Sequence, residues 1–399
     1  MGVEDFYTIP QQITLVTISL LSGSVSLLAS LTIIFIIWRD RQKKLKVVYH
    51  RILFAMSIVD AVASSNFAWS FLAVPRGMFW GAQGNTASCE ASGFLHTLFV
   101  SQGLYSCGLA VYYLMIVRYG KSQEFVSRFI EPYVHTLSLC IPMGVTLWAL
   151  LSEVMNPLLF LGGWCFMAPY PHWCSKDGTD TGTVACSRGS MAKVISNVML
   201  IVVMVPPIIG IVSAMIMIMC HVRGRLAAVV RYRTRPRLND TARQTVFQSL
   251  LYIGASLIPF ILLTVHEVLT YVKNDQQITR FVVSLLVKLI VPLQGLFNLI
   301  IYVRPRYIAL RQRRGDSLSF FKIMKYIVVG EAPLSQPEDR VDDLAPELTV
   351  PCSFRWSAPV HSHDTIKEED WQSQTPNVDV VSVDSNEGLP ESSHLDIET

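Results

Sequence analysis

FVVSLLVKLIVPLQGLFNLIIYVRPRY, residues 281 to 307, is the stretch on which the reading of the fold turns. It starts as an apolar run with a single lysine, Lys288, and ends in a polar knot of Gln294, Gly295, Asn298 and Tyr302, followed by Arg304, Pro305 and Arg306. A helix that crosses a bilayer needs about 20 apolar residues. Polar groups at that depth are costly, so they are expected to face other helices or water. Asn298 and Tyr302 are four apart and share one helix face.

The rest of the chain has the same character. Of its 399 residues 51% are hydrophobic and only 16% charged. The apolar residues are gathered into runs too long for soluble helices, which points to an all-α, multi-pass membrane protein. The net charge of +3 conceals a split: from Glu331 onward 16 acidic residues face 3 basic ones, so the body before it is strongly basic. Residues 1–11 lack a basic segment and a small-residue cleavage site, so no cleavable signal is expected and the first span acts as its own insertion signal.

Seven spans are predicted, at about 13–38, 52–74, 92–117, 133–155, 194–220, 245–270 and 281–303. Lys and Arg number 23 on one side (the first, third and fifth loops and the segment after span seven) and 6 on the other. The positive-inside rule then puts the N-terminus outside and the tail in the cytoplasm. This divides the chain into a short extracellular N-terminus (1–12), a bundle (13–304), an amphipathic juxtamembrane helix on the membrane surface (305–329) and a disordered acidic cytoplasmic tail (330–399). Lipid of the anionic inner leaflet is the expected partner of the basic juxtamembrane segment. The tail's Ser and Thr residues, among them Ser353, Ser357, Thr365 and Ser382, are candidate phosphorylation sites; an unmodified solubilising tail is the other reading.

Four cysteines fall on the outer side: Cys89, Cys165, Cys174 and Cys186. An oxidising compartment favours disulfides there, and four cysteines allow three pairings. The expected set is Cys89 with Cys165, stapling the long outer loop to span three, and Cys174 with Cys186 within the loop.

Three polar points recur inside the spans. Asp60 lies in span two, Arg118 and Tyr119 close span three, and Asn298 and Tyr302 close span seven. Asp60 is about eight residues, roughly 12 Å, from the inner start of its span, a depth similar to that of Asn298. A meeting of the two is expected; a neutral, merely hydrogen-bonded Asp60 is the bland alternative.

Together these features resemble a G-protein-coupled receptor. The family's span-three motif is Asp/Glu-Arg-Tyr and its span-seven motif Asn-Pro-x-x-Tyr; here they read Val117-Arg118-Tyr119 and Asn298-Leu299-Ile300-Ile301-Tyr302. The missing acid before Arg118 removes the local salt bridge that locks the resting state in the family. The run Cys89–Leu95, the Trp164-Cys165 pair and the segment LQGLFNLIIYVRPRY look closer to the slime-mould cyclic-AMP-receptor-like and secretin-like branches. Only about a dozen residues precede span one, so the large hormone-binding domain of the secretin-like branch is not expected. The resemblance covers roughly residues 13–310. It implies a plasma-membrane receptor for an extracellular ligand that signals to a heterotrimeric G protein, with kinases and arrestin-like proteins as partners of the tail. Pro259 would kink span six so that its inner end swings outward and opens a groove beside Arg118 and Arg304.

Polar residues toward the outer half are the candidates for a ligand pocket: His96, Gln102, Tyr105, Asn197, His266, Glu267 and Lys288. Each singly also suits bundle packing. Lys288 invites a retinal reading, but it lies ten residues before Asn298, whereas visual pigments carry their lysine six before the motif asparagine; that position here is Pro292. Lys288 instead offers a positive group to an anionic ligand, pairs with Glu267, or snorkels outward. No H-E-x-x-H, G-x-G-x-x-G or Walker loop is present, so an enzyme is not expected, nor a cofactor, a metal or a nucleic-acid partner. The alternative to a receptor is a transporter or channel that uses Asp60 and Lys288 as an intramembrane polar pathway.

Overall fold

The structure, a computed structural model, describes residues 7–171, 174, 184–232, 247, 250–251, 254–266, 277–314 and 319–330. Helices dominate it. They are α1 (Ile9–Arg39), α2 (Arg41–Lys44), α3 (Val48–Ala73), α4 (Thr86–His96), α5 (Leu98–Val117), α6 (Gln123–Phe129) and α7 (Glu131–Leu151). There follow α8 (Ala192–Val198), α9 (Val205–Tyr232), α10 (Gly254–His266), α11 (Gln277–Ile290), α12 (Gln294–Arg314) and α13 (Phe320–Val329). Among the described residues, six helical segments are long and apolar enough to cross a membrane: Ile9–Arg39, Val48–Ala73, Thr86–Val117, Gln123–Leu151, Ala192–Gly224 and Ile278–Arg311. The chain is a helical, multi-pass membrane bundle. α10 is apolar but shorter, and its described part spans about 20 Å, less than a bilayer core.

α1 explains how the bundle packs. Thr8 and Gln11 form a reciprocal capping box, and Pro10 sits in the first turn, where its missing N–H costs nothing. The buried face carries Ser19, Ser22, Ser26, Ala29 and Ser30, while the other face carries Leu21, Leu28 and Phe35. Ser30 is 0% exposed and Leu28 65% exposed, the reverse of a soluble helix. Lipid tails are as apolar as leucine, so small residues that admit a close backbone approach take the interior. Gly295 of α12 shows how close: a Cβ there would stand 2.1 Å from Ser30 Oγ and 2.8 Å from the Ser26 carbonyl.

Prolines break the helices in different ways. Before Pro206 and Pro207 the backbone widens into a π-helical run, Met199–Met204, which accommodates the two missing donors. Pro292 interrupts the last long segment with a 3₁₀ turn, Val291–Leu293, between α11 and α12. Pro292 has no N–H for the carbonyl of Lys288, four residues earlier. Ser22 Oγ donates to that carbonyl at 2.9 Å instead, and the Gly295 N–H beyond the turn donates to Ser26 Oγ at 2.9 Å. Two serines of α1 thus bond backbone groups on either side of the break, the first of them the carbonyl that the proline orphans. Pro305, by contrast, lies within α12, which continues to Arg314 rather than stopping at 303 as the sequence suggests.

The predicted fourth span ends early, at Leu151, and the chain then forms a hairpin absent from the sequence reading. β1 (Met155–Leu158) pairs antiparallel with β2 (Trp164–Met167), with Met155 opposite Met167 and Leu158 opposite Trp164. Gly162 and Gly163 at its turn have φ of +74° and +82°, which side chains with a Cβ resist. The hairpin lies over one end of the bundle; Arg118 lies at the other. Disulfides join Cys89 to Cys165 and Cys174 to Cys186, the pairing expected. At the Arg118 end, α13 buries Ile323 and Ile327 in the same core as Ile36 and Ile301, and Arg39 donates to the Val328 carbonyl. The tail from residue 331 and the loop arginines 233–243 lie outside the described residues.

Candidate functional site

Toward the Arg118 end, α3 and α12 meet through polar side chains. Asn298 Nδ2 donates to Asp60 Oδ2 at 2.7 Å, and both residues are buried. One turn further along α12, the Tyr302 ring packs edge-on against His50 of α3, 5.9 Å between centroids. Among the described residues neither the Tyr302 hydroxyl nor His50 Nδ1 has a hydrogen-bond partner. Arg118 caps α5 and is exposed; its guanidinium lies 5.6 Å from the Tyr119 ring centre, and among the described residues it meets no carboxylate. A different arginine is held: Arg51 of α3 grips Glu131 of α7 with two bonds of 2.5 Å and also donates to Ser127 at 2.7 Å. Arg304 stacks on Phe247, 4.3 Å from its ring centre.

Beside this cluster, the turn between α1 and α3 carries a charged knot outside the spans. Lys44 Nζ donates to the Ile36 carbonyl at 2.7 Å and to Asp40 at 2.8 Å, while Arg39 pairs with Asp40 at 3.0 Å. The Arg39 hydrogen bond, aided by Lys44, holds the Asp40 carboxyl below its usual range. Lys44 moves down to about 8: burial outweighs its bond to Asp40, and the nearby charges of Arg306 and Arg39 add to the shift.

At the hairpin end, Lys288 of α11 is 1% exposed. Its ammonium sits 4.4 Å from the Trp164 ring centre. It does not snorkel, and among the described residues it meets no carboxylate. The Trp164 indole donates to Ser19 Oγ at 3.3 Å and packs against Phe67 (4.9 Å) and His96 (5.2 Å). His96 Nδ1 lies 2.8 Å from Asn66 Nδ2 and 3.2 Å from the Ser92 carbonyl, and its Nε2 is buried without a partner among the described residues. Gln102, also buried, has an unpartnered Nε2. Nearby, Ser284 bonds both Tyr7 (2.9 Å) and His266 (3.1 Å), and burial pushes the Tyr7 hydroxyl up to about 12.

The remaining candidates go elsewhere. Tyr105 turns toward α7 and meets His135 Nδ1 at 3.3 Å. Asn197 is exposed on α8, and Pro259 is buried within α10. Glu267 lies outside the described residues. Sequence reasoning missed Trp164 as the partner of Lys288, and it missed the Arg51–Glu131 pair. The first had a signal in the Trp-Cys pair of the loop; the second had none, because both members flank spans and only the packing of α3 against α7 brings them together.

No protein-family model matches the sequence, and no curated protein matches it.

Proposed function

We propose that the chain is a seven-span receptor of the G-protein-coupled kind, in the plasma membrane with its hairpin end outside, carrying a signal from that end to a heterotrimeric G protein at the Arg118 end. α10 is then the core of the sixth span and α13 the membrane-surface eighth helix. The observation that carries the reading is the buried Asn298–Asp60 bond, with Tyr302 one turn beyond it. It ties the inner halves of two spans through a polar contact that a helix movement would exchange. Arg118 at the same end supports it: among the described residues its exposed guanidinium meets no carboxylate, which leaves it available to a partner's carbonyls.

In this mechanism a ligand at the hairpin end favours a state in which the inner end of α10, loosened by Pro259, moves outward. The groove so opened, lined by Arg118 and Arg304, takes one helix of the G-protein α-subunit. The Arg51–Glu131 pair braces α3 against α7 while α10 moves. A transport pathway is less well supported. Asp60 meets α12 at Asn298, ten residues and about 15 Å along the helix from Lys288. The hydroxyls between them, Ser22 and Ser26, are committed to backbone groups. The test is nucleotide exchange on purified α-subunits, wild type against Arg118→Ala.

A further inference from the structure

We propose that the corner formed by Lys288, Trp164 and His96 binds the oxyanion head of a small organic anion, a carboxylate or a phosphate. The proposal deepens the receptor reading and rests on it only for the consequence of binding. Its basis is an imbalance of charge and of donors. Lys44, Arg51 and Arg188 each meet a carboxylate: Asp40, Glu131 and Glu90. Lys288 is more buried than any of them and, among the described residues, meets the face of an indole and no carboxylate. A ring quadrupole attracts a cation but carries no compensating charge, and buried cations are ordinarily paired.

The neighbouring polar groups point the same way. His96 Nδ1 is shared by the Asn66 amide and the Ser92 carbonyl, and the atom left over is Nε2, which donates when it carries the ring proton. His96 ends α4, and Phe99 and Gln102 lie in the first turns of α5. Phe99 packs against Phe67, whose ring also meets His96 and Trp164, and Gln102 has a buried, unpartnered amide nitrogen. A buried cation that meets no carboxylate among the described residues, beside an imidazole nitrogen without a partner, is what an oxyanion head would complete. The aromatic walls, Phe67, Phe99 and Phe260, suit an apolar body attached to it. The hairpin roofs the site: a Cβ at Gly162 would stand 3.1 Å from Lys288 Cε. Binding beneath this roof is therefore felt by the loop that the Cys89–Cys165 bond holds to α4.

The test is thermal unfolding of the full chain, purified in a non-ionic detergent, followed by tryptophan fluorescence. Sodium butyrate and inorganic phosphate are the probes; butyramide and sodium chloride at matched ionic strength are the controls. A ligand near a hundred times its Kd raises Tm by roughly 5 °C in a body of this size. The expected result is such a rise with butyrate or with phosphate, the responding probe assigning the head group, and none with the controls. Lys288→Met removes the rise while leaving the unliganded Tm equal or higher, because it deletes an uncompensated buried charge. His96→Phe keeps the ring contacts and weakens binding by about tenfold, the loss of one hydrogen bond to a charged group. No rise with either probe, or an equal rise in Lys288→Met, overturns the proposal. The assay contains no G protein, so its outcome is independent of whether the chain couples to one.

Discussion

Asn298 on α12 donates its amide hydrogen to a carboxyl oxygen of Asp60 on α3, 2.7 Å away, and both residues are buried. Removing one partner strands the other. Asn298→Ala leaves a buried carboxyl without its donor, at a cost of about 1–3 kcal/mol. The exchange Asp60→Asn with Asn298→Asp rebuilds the pair in reverse. Thermal unfolding is expected to show the double variant more stable than the sum of its singles. Additive losses would mean that the two residues act separately.

Ser22 and Pro292 are coupled in the same way through a backbone group. Ser22→Ala leaves the Lys288 carbonyl unbonded and is expected to cost about 1 kcal/mol. In a Pro292→Ala background a regular helix supplies its own N–H, so the cost of Ser22→Ala falls toward zero. A double-mutant cycle reads this directly; equal costs in both backgrounds would remove the serine from the account of the helix break.

The close approach at Gly295 leaves no room for a methyl group, because the nearest atoms include the Ser26 backbone carbonyl. Gly295→Ala is expected to destabilise by about 1–3 kcal/mol, the usual range for overpacking. Gly144, which has nothing near its Cβ position, is the control: Gly144→Ala is neutral or slightly stabilising.

How much of this was legible in the sequence follows from the range of each signal. Asp60 and Asn298 could be brought together because depth in a membrane is counted in residues from a span's end. The apolar runs gave the helices for the same reason. The hairpin was not legible, although its Gly162-Gly163 pair between apolar segments is a turn signal, because its first strand begins at Met155, within the apolar run of the predicted fourth span. The Arg51–Glu131 pair was beyond reach: both residues flank spans, and only the packing of α3 against α7 brings them together. Serines on α1 look like poor membrane residues until the broken α11–α12 segment gives them backbone groups to bind.

The knot at the α1–α3 turn predicts two separate pH effects. The folded state holds Asp40 below its ordinary 3.8, so its contribution is present above that value and is lost as pH falls through the carboxylate range. Lys44 is lowered to about 8 from 10.5, so the unfolded chain binds the extra proton between those values. Its contribution to stability therefore rises with pH across that window. The Tm of wild type relative to Lys44→Met is expected to improve between pH 8 and 10.5. A difference that stays flat there would show that Lys44 is not desolvated in the folded protein.

The central claim is that the Arg118 end engages a G protein, and nucleotide exchange on a panel of purified α-subunits tests it most directly. Wild type in a lipid membrane is compared with Arg118→Ala, which removes the free guanidinium, and with Val117→Asp, which gives it a neighbouring carboxylate. The account predicts basal exchange above background on at least one α-subunit, abolished by the first substitution and reduced by the second. Folded wild-type protein that accelerates exchange on none of them, or acceleration unchanged by both substitutions, would contradict it.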